Sequence, residues 1–149
     1  MRCGGRADTI VRVPAPFADI VAAMKQRYRL RVRKWRRDMS GAAWQVRYGD
    51  GRVVNWIEAP PPKTPISLAI FLHEVGHHAI GFDHDWLRCE EEYAVWNWTL
   101  EQMRAAGVEP DERTLRRVEL SMRYAVGQAL RRGLKKVPAT LARFVTRAA

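Results

Sequence analysis

The sequence has few cysteines and no apolar run long enough to cross a membrane. Its two cysteines, Cys3 and Cys89, form no C-x-x-C pair, which indicates a reducing compartment. No apolar stretch reaches the ~18 residues that a membrane span needs, and the opening residues MRCGGRADT lack the apolar core of a signal peptide. Internal repeats and low-complexity tracts are also absent. We therefore expect a cytoplasmic protein that makes no membrane contact.

Acidic residues are in the minority. Lysine and arginine number 26 against 16 aspartates and glutamates, giving a formal net charge of +10. A surplus of this size favours an acidic partner, with nucleic acid as the first candidate. The length of 149 residues and the hydrophobic content of 47% predict one compact domain from Met1 to Ala149.

A His-Glu-x-x-His motif, formed by His73, Glu74 and His77, lies in the stretch from Ile66 to Gly81. Residues four apart on a helix share a face, so both imidazoles can bind one metal ion, and Glu74 can reach a metal-bound water. The stretch is apolar nearly all round, which predicts a central buried helix. Burying these polar groups unpaired is costly, so metal binding is favoured over two core histidines with a surface glutamate.

Two candidates for a third metal ligand follow this helix. His84 comes seven residues after His77, which is similar to the metzincin spacing but with one extra residue before Gly81. The other candidate lies in the run Glu90, Glu91 and Glu92.

Helical phase favours Glu91, because it shares a stripe with apolar residues, namely Leu87, Ala94 and Trp98. Glu90 and Glu92 flank that stripe and could orient the histidines. The alternative is that all three glutamates are solvated surface charges.

The remaining pattern predicts an α+β fold. Met1 to Ala15 is read as an irregular lead-in, followed by an amphipathic helix from Pro16. Three strands are then expected to form an antiparallel meander, around Tyr28 to Arg33, Ala42 to Tyr48 and Arg52 to Glu58, with Gly49-Asp50-Gly51 as the hairpin turn. Thr64 and Pro65 predict the start of the central helix.

Further helices are expected in the C-terminal half. A glutamate-bearing helix is predicted from about Trp86 to Ala106, ending at Gly107. Acidic residues from Glu109 to Glu112 open the next helix, and a short tail helix is expected within Pro138 to Ala149.

The motif His73-Glu74-Val75-Gly76-His77, Gly81, and Glu91 with Ala94 in a Glu-x-x-Ala pattern together resemble the ImmA/IrrE group of bacterial and phage gluzincin metallopeptidases. The resemblance covers roughly Phe17 to Gly107 and implies a zincin-like fold. It also implies a zinc ion (Zn2+) held by His73, His77 and Glu91, with Glu74 as general base. The implied activity is hydrolysis of a peptide bond in a protein target, often a transcriptional repressor.

A row of arginines suggests an alternative function. Arg27, Arg29, Arg31 and Arg33 alternate along the first predicted strand, at a spacing close to the repeat of a sugar-phosphate backbone, and Arg29, Arg31 and Arg33 are the candidate nucleic-acid contacts. This row predicts either nucleic-acid contact, with DNA or a DNA-bound protein as partner, or an ordinary solvated face. The alternative to a peptidase is thus a basic nucleic-acid-binding module with a structural or residual zinc site. A third reading is an accessory protein that neutralises a host factor by binding alone.

Overall fold

A computed structural model describes residues 15–146, with side chains from Phe17 onward. Cys3, nearly all of the predicted lead-in and the last three residues of the predicted tail lie outside this range. The elements in chain order are α1 (Ala15–Arg27), β1 (Leu30–Trp35), β2 (Ala42–Arg47), β3 (Val53–Ala59), α2 (Pro65–Ile80), α3 (Arg88–Ala105), α4 (Glu112–Arg131) and a 3-10 helix, Ala139–Phe144. The α+β class predicted from the sequence is therefore confirmed.

The sheet is mixed, and the predicted antiparallel meander is wrong. The strand order is β1-β3-β2, with β1 parallel to β3 and β2 antiparallel to β3. Only the β2–β3 hairpin of the meander is present, with Trp44 opposite Trp56. Alternating burial looks the same in parallel and antiparallel strands, so the sequence pattern did not determine the direction of β1. The central position goes to β3, whose last three residues are all buried.

The link between β1 and β2 crosses the end of β3 and is held there by an ion-pair cluster. Arg36 donates from Nη2 to Glu58 Oε2 over 2.7 Å and from Nη1 to Ser40 Oγ over 2.9 Å. Arg33 adds a 2.8 Å ion pair to the other oxygen of Glu58. These contacts, led by the hydrogen bond from Arg36, hold the pKa of the Glu58 carboxyl below its usual value despite its burial. The link therefore has a defined course as it enters β2.

The central helix α2 begins and ends where the sequence predicted. Thr64 is its N-cap and forms a capping box with Ser67, Pro65 is the first helical residue, and Gly81 closes the helix with a φ of 90°. Every residue from Ser67 to His77 is buried. The helix packs against β2 and β3 on one side and α3 on the other, so the prediction of a buried central helix is confirmed.

The C-terminal helices complete the core. α3 is slightly shorter than predicted, and α4 begins after Asp111, whose carboxylate accepts hydrogen bonds from the backbone and hydroxyl of Thr114. The predicted tail helix is a single six-residue 3-10 segment, which buries Leu141 and Phe144. Within residues 15–146, none of the helices combines the length and the apolarity that a bilayer crossing requires.

Candidate metal centre

The two histidines of the motif converge on one glutamate of the neighbouring helix. His73 Nε2 lies 3.1 Å from Glu92 Oε2, and His77 Nε2 lies 3.4 Å from Glu92 Oε1. One nitrogen from each histidine and one oxygen from Glu92 all lie within 4.8 Å of one another. His73 and His77 are buried, and the Glu92 side chain is only 14% exposed. These three residues, called here the metal-ligand group, could hold a metal ion.

The three consecutive glutamates of α3 have three different contacts. Glu90 accepts a hydrogen bond from the backbone N–H of Leu87 at the start of the helix. Glu91 accepts from His77 Nδ1 over 3.0 Å, on the opposite side of the ring from Nε2. Only Glu92 faces the Nε2 atoms of both histidines. The structure therefore brings Glu92 to the position that the sequence analysis gave to Glu91.

Glu91 and Glu92 lie on two adjacent inward-facing stripes of α3. Glu91 is buried on one stripe with Val95, Thr99 and Met103 at four-residue spacing, and Cys89 and Trp96 are buried on an adjacent stripe. Glu92 falls on this stripe, three residues after Cys89 and four before Trp96. The sequence analysis instead used a stripe through Leu87, but Leu87 precedes the helix and is 39% exposed. Both glutamates therefore face inward, and spacing along α3 does not choose between them; the contacts with the two histidines do.

Glu91 orients the ring of His77 and is not part of the metal-ligand group. A histidine that binds a metal through Nε2 carries its proton on Nδ1. Glu91 Oε1 is placed to accept a hydrogen bond from that N–H group of His77. Arg88 lies 3.3 Å from the other oxygen of Glu91 and 3.0 Å from Glu92. His84, the other candidate third ligand, has its Nε2 3.9 Å from Glu91 Oε2 and is not part of the metal-ligand group. Its ring stacks on Trp86.

Glu74 lies beside the metal-ligand group and against the backbone that enters β2. It is 7% exposed. A Cβ atom at Gly41 would lie 2.6 Å from both the Cγ and an oxygen of Glu74, so only glycine leaves room for this carboxylate. Gly41 directly follows Ser40 in the anchored link, so the Glu58 cluster and Glu74 are structurally connected. The sequence analysis missed Gly41 because it is distant from the motif along the chain.

Burial controls the ionisation of the site. It raises the pKa of Glu74 to about 7, against the opposing charge of His73, and it lowers the pKa of His77. Burial also disfavours ionised Glu92, but hydrogen bonding to His73 and the nearby positive charges hold the pKa of Glu92 below its usual value. Metal binding itself requires neutral imidazoles at His73 and His77 and an ionised carboxylate at Glu92. A bound cation would also favour the ionised form of Glu74.

Close packing of α3 on α2 sets the distances within this centre. A Cβ atom at Gly76, inside the motif, would lie 2.9 Å from Val95 Cγ1 and 3.0 Å from Trp98 Cε3. The ring of Trp96 lies 4.1 Å from that of His73, centroid to centroid. The Nδ1 atom of His73 has no hydrogen-bond partner among the described residues. The Nδ1 side of His73 therefore has only packing contacts among the described residues, whereas Nδ1 of His77 pairs with Glu91.

The predicted arginine row is only partly present on a strand. Arg27 is the last residue of α1, and Arg29 precedes β1 with a φ of 52°, so neither lies on the strand. Arg31 and Arg33 lie on β1, where Arg31 is 6.0 Å from the centroid of the Trp56 ring and Arg33 pairs with Glu58. Nucleic-acid contact by these residues stays a prediction.

Comparisons with protein-family models, with curated proteins and with solved structures found no match to this chain. The resemblance to ImmA/IrrE peptidases therefore stays a prediction drawn from the motif. The geometry of the site carries the functional argument that follows.

Proposed function

We propose that this protein is a zinc-dependent metallopeptidase of the zincin type that cleaves a peptide bond in a protein target. The observation that carries the proposal is the buried convergence of His73, His77 and Glu92, with Glu74 beside them. Two histidines and a glutamate, with one coordination position open, form the ligand set of catalytic zinc sites. The cytoplasmic location indicated by the sequence is part of the same proposal.

The donor atoms lie close enough together to reach one metal ion. Zinc–ligand distances of about 2.0–2.2 Å place tetrahedral ligand atoms about 3.3–3.5 Å apart. The two histidines approach different oxygens of Glu92, at 3.1 Å and 3.4 Å, and one donor atom from each of the three residues lies within 4.8 Å of the others. A modest inward shift of these side chains would bring the donors to tetrahedral spacing. The Nδ1 hydrogen bond from His77 to Glu91 supports the required tautomer.

Each residue of the site has a distinct task in the proposed reaction. A zinc ion bound by His73, His77 and Glu92 would act as a Lewis acid and lower the pKa of its water towards ~7. Glu74 accepts the proton of the attacking water and passes it to the leaving amine. Packing against Gly41 keeps the carboxylate of Glu74 in one position, and a bound cation would favour its ionised form, which is the form that accepts a proton.

The sheet offers a place for the substrate backbone. β2 lies at the edge of the sheet, and its first residues, Ala42 and Ala43, line a cleft of about 1200 Å³ together with the metal-ligand group. An extended peptide can add to a sheet edge through main-chain hydrogen bonds. The short side chains of these two alanines leave space for such a segment.

Metal analysis of matched variants tests the proposal. Purified wild type should hold one zinc ion per chain, which His77→Ala should remove. Glu74→Gln should retain zinc and lose cleavage of a mixed pool of unstructured peptides. Wild type that holds no zinc after mild purification, or a Glu74→Gln variant that cleaves at the wild-type rate, would overturn the proposal.

Three single substitutions on α3 separate the roles of the glutamates. Glu92→Gln should abolish tight zinc binding, whereas Glu91→Gln should weaken it by about 10–100-fold through the loss of the His77 contact. Glu90→Gln is the matched control, since Glu90 contacts only the start of the helix among these groups, and its zinc affinity should equal that of wild type. A larger loss in Glu91→Gln than in Glu92→Gln would restore Glu91 as the third ligand.

A further inference from the structure

The cleft that contains the metal-ligand group extends well beyond it. Its volume of about 1200 Å³ is far larger than a metal ion and a water require, and its far wall is one face of α4. This wall, called here the α4 wall, is formed by Arg117, Leu120, Ser121, Tyr124 and Gln128 of α4 and by Arg132 directly after the helix. The composition of this wall indicates what the cleft accepts.

The middle of the α4 wall is apolar and exposed. Leu120 is 52% exposed and Tyr124 is 65% exposed, and their spacing of four places them one turn apart on the helix. Gln128 Nε2 donates a 2.7 Å hydrogen bond to the Tyr124 hydroxyl, which restrains the ring. An apolar surface inside a cleft favours an apolar or aromatic side chain of a ligand.

The charged positions of the cleft outside the metal centre are all arginines. Arg88, Arg117 and Arg132 line it, and the lining carboxylates are Glu74 and Glu92 of the centre itself. Among the residues that the structure describes, Arg117 and Arg132 have no carboxylate within ion-pair distance. Arg88 is engaged by Glu91 and Glu92. Two guanidinium groups at the α4 wall are thus available for a carboxylate of the ligand.

We infer that the cleft selects an extended protein segment that carries an apolar or aromatic side chain next to acidic residues. The backbone of the segment lies along the start of β2, its apolar side chain contacts Leu120 and Tyr124, and its carboxylates pair with Arg117 and Arg132. This inference rests on the proposed function, because it names the substrate class of the same site. The apolar centre of the wall and the adjacent strand edge favour a peptide over a nucleic acid, which a row of cations would suit.

A binding assay tests this without requiring turnover. Fluorescence anisotropy would measure the affinity of the Glu74→Gln variant for two fluorescent peptide pools. Both pools contain an aromatic residue, which is flanked by glutamate in one pool and by glutamine in the other. The glutamate pool should bind at least about tenfold more tightly, and Arg117→Glu with Arg132→Glu should abolish the difference. A lysine-flanked pool should gain affinity in that double variant. Equal binding of the glutamate and glutamine pools would overturn the inference.

A matched control uses two other arginines of the same helix. Arg113 and Arg116 are exposed and do not line the cleft, so Arg113→Glu with Arg116→Glu makes the same charge change outside it. This control should still bind the glutamate pool more tightly than the glutamine pool. If it loses this preference as fully as the Arg117 and Arg132 variant does, net charge alone explains the preference and the inference is overturned. Arg117→Gln with Arg132→Gln repeats the test with a milder change if the charge reversal unfolds the protein.

Two further outcomes separate this inference from the proposed function. If wild type holds zinc and cleaves peptides with no preference for acidic ones, the inference fails while the peptidase proposal stands. If acidic peptides bind selectively but no zinc or cleavage is found, the peptidase proposal fails while the selectivity stands. A single-stranded oligonucleotide could also displace the glutamate pool, and bind less well to the Arg117 and Arg132 variant. That result would assign the cleft to a nucleic acid instead of a peptide.

Discussion

Replacing Gly76 by alanine should disturb both the stability of the protein and its metal centre. A Cβ atom there would lie 2.9 Å from Val95 Cγ1 and 3.0 Å from Trp98 Cε3. Ordinary carbon–carbon contacts are about 3.5–4.0 Å, so α3 would have to move by about 0.5–1 Å. The Trp98 ring cannot easily withdraw, because its other contacts include the edge-on ring of Tyr28, 6.0 Å away between centroids.

Two opposing effects determine the size of the change. Alanine in a helix interior is favoured over glycine by about 1 kcal/mol, whereas overpacking a well-packed interface costs about 1–3 kcal/mol. We expect overpacking to prevail and the free energy of unfolding to fall by about 1 kcal/mol. The shift of α3 also lengthens the 3.0 Å contact between His77 and Glu91 and the 3.1 Å contact between His73 and Glu92. Zinc affinity should therefore fall by about 10–100-fold.

Urea unfolding and a competitive zinc titration would measure these two changes. Gly127→Ala in α4 is the matched control, because its nearest contact would be the flexible end of Arg131 at 3.5 Å. That variant should gain about 0.5–1 kcal/mol and keep its zinc affinity. Adding Val95→Ala to Gly76→Ala should recover part of the zinc affinity. If Gly76→Ala behaves like Gly127→Ala in both assays, the packing argument is wrong.

Three other substitutions test separate parts of the structure. Gly41→Ala would push the Glu74 carboxylate out of place, so cleavage should fall by about 100-fold with zinc content unchanged; full activity would contradict this. Glu58→Gln should cost about 1–2 kcal/mol at neutral pH in urea unfolding. Because the folded pKa of Glu58 lies below its ordinary value of 4.5, the stabilisation is present above pH 4.5 and is lost as the pH falls through the folded pKa. The difference in free energy of unfolding between wild type and Glu58→Gln should therefore disappear as the pH falls through the folded pKa. A difference that stays constant with pH would refute the role given to Glu58. Asp111→Ala removes the N-cap contacts to Thr114 and should cost about 1 kcal/mol, measured as a lower Tm.

The central helix and its two histidines could be predicted from the sequence because their determinants are local. Thr64, Pro65 and Gly81 set the ends of α2 through contacts within a few residues. The four-residue spacing places His73 and His77 on one face of any helix that includes them. The class of the fold was likewise accessible, since hydrophobic periodicity separates helices from strands.

The sequence by itself thus determined the elements, the histidine pair and the neighbouring general-base candidate. Tertiary structure alone decided that Glu92 faces the Nε2 atoms of both histidines and that Glu91 contacts only Nδ1 of His77, because the two glutamates lie about 100° apart around α3. It also decided the parallel pairing of β1 with β3 and the contact of Gly41 with Glu74. Each of these depends on how distant segments pack together, and periodicity along the chain carries no information about the partner that an element meets.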